Sequence, residues 1–172
     1  MRRLLIAALG TVLLAACGTD PPHATSSSSP TTSSASQATP TIPDGVYRTH
    51  ALTWNDLVAA IKAAGYATND AASVRPIFEF HKTVVFTIKL QGGQWTEFES
   101  DDGGPDQVGD LGTYTVTSDV LAMTGDGGKG HQRLKWTLDG IALSLETLPS
   151  DPQGDAAAPV AIFTSGPFYR AG

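Results

Sequence analysis

Between residues 84 and 146 the chain alternates apolar and polar side chains, and this alternation limits its possible folds more than any other feature. A period of two gives each strand one apolar and one polar face. Short turns interrupt the pattern, most clearly at Gly92-Gly93 and at Asp139-Gly140, and the second is a strong hairpin signal. The pattern predicts an antiparallel meander, folded as a small barrel or sandwich. A closed barrel is favoured because closure leaves no exposed strand edge.

One short helix is predicted ahead of these strands, over residues 53–65. Thr53 can cap its N-terminus together with Asp56, and Gly65 can end it. The apolar side chains of this segment fall on one stripe, formed by Trp54, Leu57, Val58 and Ile61. The fold class predicted is therefore mainly β, with one helix near the start of the domain.

Residues 1–17 have the pattern of an exported protein. Arg2 and Arg3 precede a short apolar run over residues 4–14, which is too short to span a bilayer. The next residues complete the motif Leu14-Ala15-Ala16-Cys17, which resembles the lipobox of bacterial lipoproteins. The resemblance implies that a signal peptide, residues 1–16, is removed and that Cys17 carries acyl chains such as palmitate. It places the protein on the extracytoplasmic face of the cell membrane. A plain secretory signal and an incidental cysteine are the alternatives.

Residues 17–43 are predicted to be a disordered tether that follows the lipidated cysteine. Of the 26 residues from 18 to 43, 13 are Ser or Thr and five are Pro, and Ile42 is the sole large apolar side chain. Such a composition cannot offset the entropy of ordering the backbone. The tract is either an O-glycosylated stalk or an unmodified spacer. Residues 44–172 then form one folded domain.

Charge and cysteine content exclude several classes of protein. The formal charge is −6, and removal of residues 1–16 takes away two arginines and no acid, which makes it −8. An acidic chain is not expected to bind nucleic acid or to adhere electrostatically to an anionic membrane. With Cys17 as its single cysteine, the domain cannot contain a disulfide and depends on its core for stability.

The predicted domain resembles the lipocalin-like, or calycin, β-barrels. The residues that carry the resemblance are Gly45-Val46-Tyr47-Arg48-Thr49, Gly112-Thr113-Tyr114-Thr115-Val116 with Asp119-Val120-Leu121, Lys135-Trp136-Thr137-Leu138-Asp139-Gly140 and Phe168-Tyr169-Arg170. Lipocalins open with Gly-x-Trp and close with an arginine that packs across that tryptophan. Tyr47 stands in place of the tryptophan here, and Arg170 is the candidate arginine. The resemblance implies a structural clasp between these two side chains and a barrel whose interior holds a small apolar ligand.

The ligand cavity, if the barrel is hollow, is predicted to be lined by Phe86, Phe98, Tyr114, Trp136 and Leu145. A barrel of about eight strands is either filled by its side chains or just wide enough for one small ligand. The sequence leaves both possibilities open. In this prediction Phe98 faces inward, so Glu97 and Glu99 face solvent on the other side of the strand.

No catalytic or metal-binding pattern stands out. The carboxylates of Glu97 and Glu99 are two residues apart on a solvated strand face, which is not the arrangement of a glycosidase pair. The acidic run from Asp101 to Asp110 lacks the spacing of a calcium-binding loop and indicates a solvated hairpin loop. We therefore predict a protein without enzymatic activity, cofactor or metal, which binds a small apolar or amphipathic molecule. The alternative is an envelope protein-interaction module with a filled barrel; a hydrolase is the more distant third possibility.

Overall fold

Eight antiparallel strands in consecutive order form a closed barrel, which confirms the predicted fold class. The computed structural model describes residues 41–128, 130–148 and 157–172. The strands are β1 (Gly45–Arg48), β2 (Val84–Gln91), β3 (Gln94–Asp101), β4 (Gln107–Thr117), β5 (Val120–Gly125), β6 (His131–Asp139), β7 (Ala142–Thr147) and β8 (Phe168–Arg170). The barrel closes because β1 pairs with both β2 and β8. This architecture is consistent with a lipocalin-like fold.

The alternation in β2 sets the inside of the barrel. The strand has side chains that are at most 1% exposed at every second position, Val84, Phe86, Ile88 and Leu90. Residues directly opposite each other on neighbouring antiparallel strands share a face of the sheet. The observed register therefore extends the inward face around the barrel, from Ile88 to Tyr47 on β1 and from Leu90 to Trp95 on β3.

The two ends of the barrel differ in their connections. At one end, which we call the turn end, the short turns after β2, β4 and β6 lie beside the start of β1. At the other, the helical end, two long connections leave the barrel. The first carries helix α1 (Trp54–Ala63) and a 3₁₀ segment (Thr68–Phe78), and the second carries helix α2 (Ala157–Thr164). These three helical segments pack against one another, and α2 also packs against β7.

Helix α1 confirms the predicted helix and its signals. The backbone N–H and the hydroxyl of Thr53 both donate to an Asp56 carboxylate oxygen, at 2.7 Å each. These two hydrogen bonds lower the pKa of Asp56. Gly65 follows the helix with a φ of 86°, a backbone conformation that other residues avoid. The side chains of Leu57 and Ile61 on the predicted stripe are fully buried.

Two further helical segments, α2 and the 3₁₀ segment, were not predicted. Helix α2 has the sequence Ala-Ala-Pro-Val-Ala-Ile-Phe-Thr, which is apolar on every side. A helix without a polar face gives no stripe to recognise. The 3₁₀ segment contains Pro76, which reads as a helix breaker in sequence.

The folded region also begins earlier than the predicted boundary at residue 44. The Ile42 side chain is 4% exposed and belongs to the same hydrophobic core as the barrel. The predicted tether should therefore stop before this residue. Residues 1–40, which include the signal peptide, Cys17 and most of the predicted tether, lie outside the described residues.

Candidate functional site

The prediction for β3 assigned the wrong set of side chains to the inward face. Glu97 is paired with the inward residue Ile88, whereas Phe98 is paired with Thr87 on the outer face. Phe98 therefore does not line the interior. It lies beside Val108 on β4, which is 58% exposed. The fully inward Trp95 on the same strand is the signal that would have set the phase correctly.

The other predicted cavity residues lie on inward register positions. Trp136 on β6 is paired with Leu145 on β7, and Phe86 is paired with Glu99. All three of the apolar side chains are buried, with Trp136 the most exposed at 8%. Tyr114 is partly buried and donates from its hydroxyl to Asp44, at 3.2 Å, beside the start of β1. Whether these side chains touch a ligand stays a prediction.

The structure brings Tyr47 and Arg170 together at the turn end. The two residues are cross-strand partners on β1 and β8. The Tyr47 hydroxyl donates to the Pro43 carbonyl at 2.6 Å, and the Arg170 guanidinium donates to the Asp44 carbonyl at 2.7 Å. Burial raises the pKa of Tyr47, while the charge of Arg170 opposes that rise. Both side chains thus tie the segment before β1 to the barrel, an arrangement that suits a structural clasp.

We expect Tyr47→Phe to lower the free energy of unfolding by about 1 kcal/mol, because it removes one hydrogen bond without opening a cavity. Denaturant unfolding measures this loss. The matched control is Tyr169→Phe, since Tyr169 is also in the β1–β8 seam but its hydroxyl makes no hydrogen bond among the described residues. Equal effects of the two substitutions would contradict a contribution from the bond to Pro43.

The barrel interior contains a carboxyl group, that of Glu97, which was predicted to face solvent. The Glu97 side chain is 3% exposed and lies near the middle of β3, as the fourth of its eight residues. One extra residue, Gly109, makes a bulge in β4 opposite it. A Cβ atom on Gly109 would collide with the Glu97 Oε2 atom. The bulge glycine therefore makes room for the carboxyl group inside the wall.

The surroundings of Glu97 keep it protonated at neutral pH. Burial raises the pKa of this carboxyl from 4.5 to about 8, with further contributions from the charges of Glu99 and Asp110, and a hydrogen bond from the Asp110 backbone opposes the rise. The pKa of Glu99 is also raised, first by burial and then by Asp101. The inward face of β3 thus carries several acidic groups from its middle to its helical end, of which at least Glu97 is neutral at pH 7.

Four inward polar atoms find no hydrogen-bond partner among the described residues. They are the Glu97 Oε1, the Asp101 Oδ1, the Gln132 Oε1 and the Trp136 Nε1. Gln132 is the second residue of β6, at the helical end, and is the partner of inward-facing Met123. Buried polar atoms nearly always have a partner, because leaving one unpaired costs about 1–3 kcal/mol. Unpaired atoms inside a barrel are therefore potential ligand contacts.

Helix α2 reaches into the barrel from the helical end. The Phe163 ring meets the inward Trp95 ring edge to face, with centroids 5.8 Å apart. Phe163 and the barrel side chains form one continuous core. The side chains that α1 and the 3₁₀ segment bury there are also apolar. The helical segments thus add apolar side chains to the barrel core.

The remaining candidates are at the surface. Asp102 accepts hydrogen bonds from the backbone N–H groups of Thr83 and Lys82, and these lower its pKa. The His81 ring lies 3.5 Å from one carboxylate oxygen of Asp101 and from one of Asp102. The predicted solvated acidic loop is confirmed for residues 102–106. It was wrong at Asp101, which ends β3 on the inward face, and from residue 107, where β4 begins. Across the described ranges, no three His, Cys, Asp or Glu side chains gather as a metal site. No helix within those ranges is long and apolar enough to cross a membrane.

Comparisons with protein-family models, with curated proteins and with solved structures find no match for this chain.

Proposed function

We propose that this protein is a lipid-anchored binding protein on the extracytoplasmic face of the cell membrane, and that its barrel binds a small amphipathic molecule. The observation that carries the proposal is the set of unpaired polar atoms on inward positions, on Glu97, Asp101, Gln132 and Trp136. They stand among apolar and aromatic side chains, and sites for small molecules commonly combine an apolar lining with a few placed polar groups. The polar group of an amphipathic ligand would bond to the unpaired atoms, and its apolar part would pack against the surrounding side chains.

Native mass spectrometry of the full chain, purified from a bacterial envelope, tests this proposal. We expect a discrete added mass that is lost on organic extraction, and the extract then identifies the ligand. Its control is the same protein after extraction, which should regain the mass on incubation with the extract. A bare protein that takes up nothing from total envelope lipids and metabolites would contradict the proposed function.

The anchor is a separate part of the proposal and has its own test. It is supported by Leu14-Ala15-Ala16-Cys17 after the basic and apolar segments of the signal peptide. Two acyl chains hold a protein on a bilayer, whereas one is marginal. In a bacterium that processes lipoproteins, we expect Cys17→Ser to move the protein from the membrane fraction to the soluble fraction or to leave an unprocessed precursor. Ser27→Ala in the predicted tether is the control, and a processed, membrane-bound Cys17→Ser protein would refute the anchor.

A protein-interaction module is the second candidate, and two observations favour it. The contact between Phe163 and Trp95 fills part of the barrel with a helix side chain. On the outer face, Val108 and Leu111 of β4 are exposed apolar residues beside the acidic loop. A partner could cover this strand face. If the mass experiment finds no ligand, loss of a copurifying envelope protein in a Val108→Ser, Leu111→Ser variant would support this second function.

A further inference from the structure

We propose that the ligand of the barrel carries a single cationic amine, and that the carboxyl group of Glu97 receives it. This inference rests on the proposed binding function and names the chemical class of its ligand. Glu97 is 3% exposed, and its Oε1 atom has no partner among the described residues. A protonated amine would donate a hydrogen bond to this atom and would balance the charge of the carboxylate form that it favours.

The charges around Glu97 favour a cation over an anion. Glu99 and Asp101 follow it on the inward face of β3, and Asp110 is its partner on β4. Among the described strand residues, Arg170 is the one cation at an inward register position, and it lies at the turn end, bonded to the Asp44 carbonyl. His81 reaches Asp101 at the helical end but not Glu97. An anionic head group would meet several acids here and no opposing charge.

The other elements around the site supply an apolar surface. Strands β5, β6 and β7 face inward with apolar side chains, with the amide of Gln132 and with the hydroxyl of Thr147. The ionisable tyrosines Tyr47 and Tyr114 bond to groups near the start of β1. The side chains that α1, the 3₁₀ segment and α2 bury at the helical end include Leu57, Val74 and Phe163, all uncharged. The complementary ligand is therefore an apolar molecule with one amine. Its ammonium group would form a single ion pair with Glu97, away from water.

Binding of such a ligand exchanges a proton. Glu97 is protonated in the free protein near pH 7, since burial and nearby acids raise its pKa to about 8. An ammonium group beside it favours the carboxylate form. The carboxyl O–H bond breaks, its proton leaves to the buffer and the carboxylate accepts a hydrogen bond from the ammonium. Binding of an already charged amine should thus release close to one proton at pH 7.

Calorimetry with decylamine, decanol and decanoate tests the inference on the full chain, because the three probes share one apolar chain and differ in the head group. We expect decylamine to bind about tenfold or more tightly than decanol, the effect of one charge-assisted hydrogen bond, and decanoate to bind most weakly. Titrations in phosphate and in Tris, which differ in ionisation heat, should reveal the released proton for decylamine alone.

Variants separate this site from general adsorption. Glu97→Gln should reduce the preference for decylamine over decanol to about twofold or less and abolish proton release. Glu146→Gln, an exposed carboxyl on β7, should change neither. If Glu97→Gln does not fold, proton release by the unmodified protein remains decisive. Decanol or decanoate binding as tightly as decylamine, or decylamine binding without proton release, would overturn the inference and leave the proposed function standing. Failure of all three probes to bind would count against both.

Discussion

Glu97→Gln is expected to stabilise the protein, by an amount that grows as the pH rises from about 4.5 to about 8. The pKa of Glu97 is 4.5 in ordinary surroundings and about 8 in the folded protein. Below pH 4.5 the folded and unfolded states are both protonated, so the glutamate has no ionisation penalty. Between these values only the unfolded state ionises, and this favours unfolding. Each pKa unit corresponds to about 1.4 kcal/mol, so the expected gain at pH 8 is on the order of a few kcal/mol.

Denaturant unfolding at pH 4, 6 and 8 measures this effect. We expect little difference between Glu97→Gln and the unsubstituted protein at pH 4, and a higher midpoint for the variant at pH 8. Above pH 8 the difference should level off, because both states of the protein then carry the carboxylate. Glu146→Gln is the matched control, since Glu146 is exposed on β7. A gain that is the same at every pH, or that the control shares, would show that burial of Glu97 is not its cause.

Gly112→Ala should destabilise the barrel by about 3 kcal/mol, a typical cost of overpacking. Gly112 lies on β4 between Trp95 on β3 and Gly125 on β5. A Cβ atom at this position would collide with the backbone carbonyl oxygen of Thr124 and would lie 2.9 Å from the Cα atom of Gly125. Backbone atoms in a sheet cannot move aside without disturbing their own hydrogen bonds. The strand pair would therefore have to separate.

Thermal unfolding followed by circular dichroism measures this loss. Gly166→Ala is the control, because a Cβ atom there meets no atom within 4 Å and the backbone does not have a positive φ. Both substitutions add the same methyl group and reduce the flexibility of the unfolded chain equally. A Gly112→Ala protein as stable as the Gly166→Ala protein would mean that β4 and β5 are not as close as the structure has them.

The strands and helix α1 were predictable because their signals are local. Alternation in β2 fixes the inward face, and the hydrogen bonds between Thr53 and Asp56 follow from residue types three positions apart. Helix α2 was not predictable in the same way, since a segment that is apolar on every side shows no periodic change between polar and apolar residues. Its burial depends on the barrel and the other helical segments around it, which no short window of sequence contains.

The candidate site was missed because β3 carries conflicting signals. Trp95 and Phe98 are three residues apart, so a strand cannot place both on one face. Choosing Phe98 as inward put Glu97 in solvent, which is the usual position of a carboxylate. The pairing of β3 with β2 puts Glu97 on the inward face, and the Gly109 bulge in β4 leaves room for its carboxyl group. Pairing between strands, rather than composition, decides this point.

The closure of the barrel also bears on how the chain folds. Arg170 donates its hydrogen bond to the Asp44 carbonyl across 126 residues of sequence, and the β1–β8 ladder there has only two residue pairs. The chain loses conformational entropy when such distant segments come together, before the few hydrogen bonds between β1 and β8 can compensate. The local hairpins should therefore form first and the seam last. A topology of this kind makes folding slow, on the order of milliseconds to seconds, even when the native state is stable.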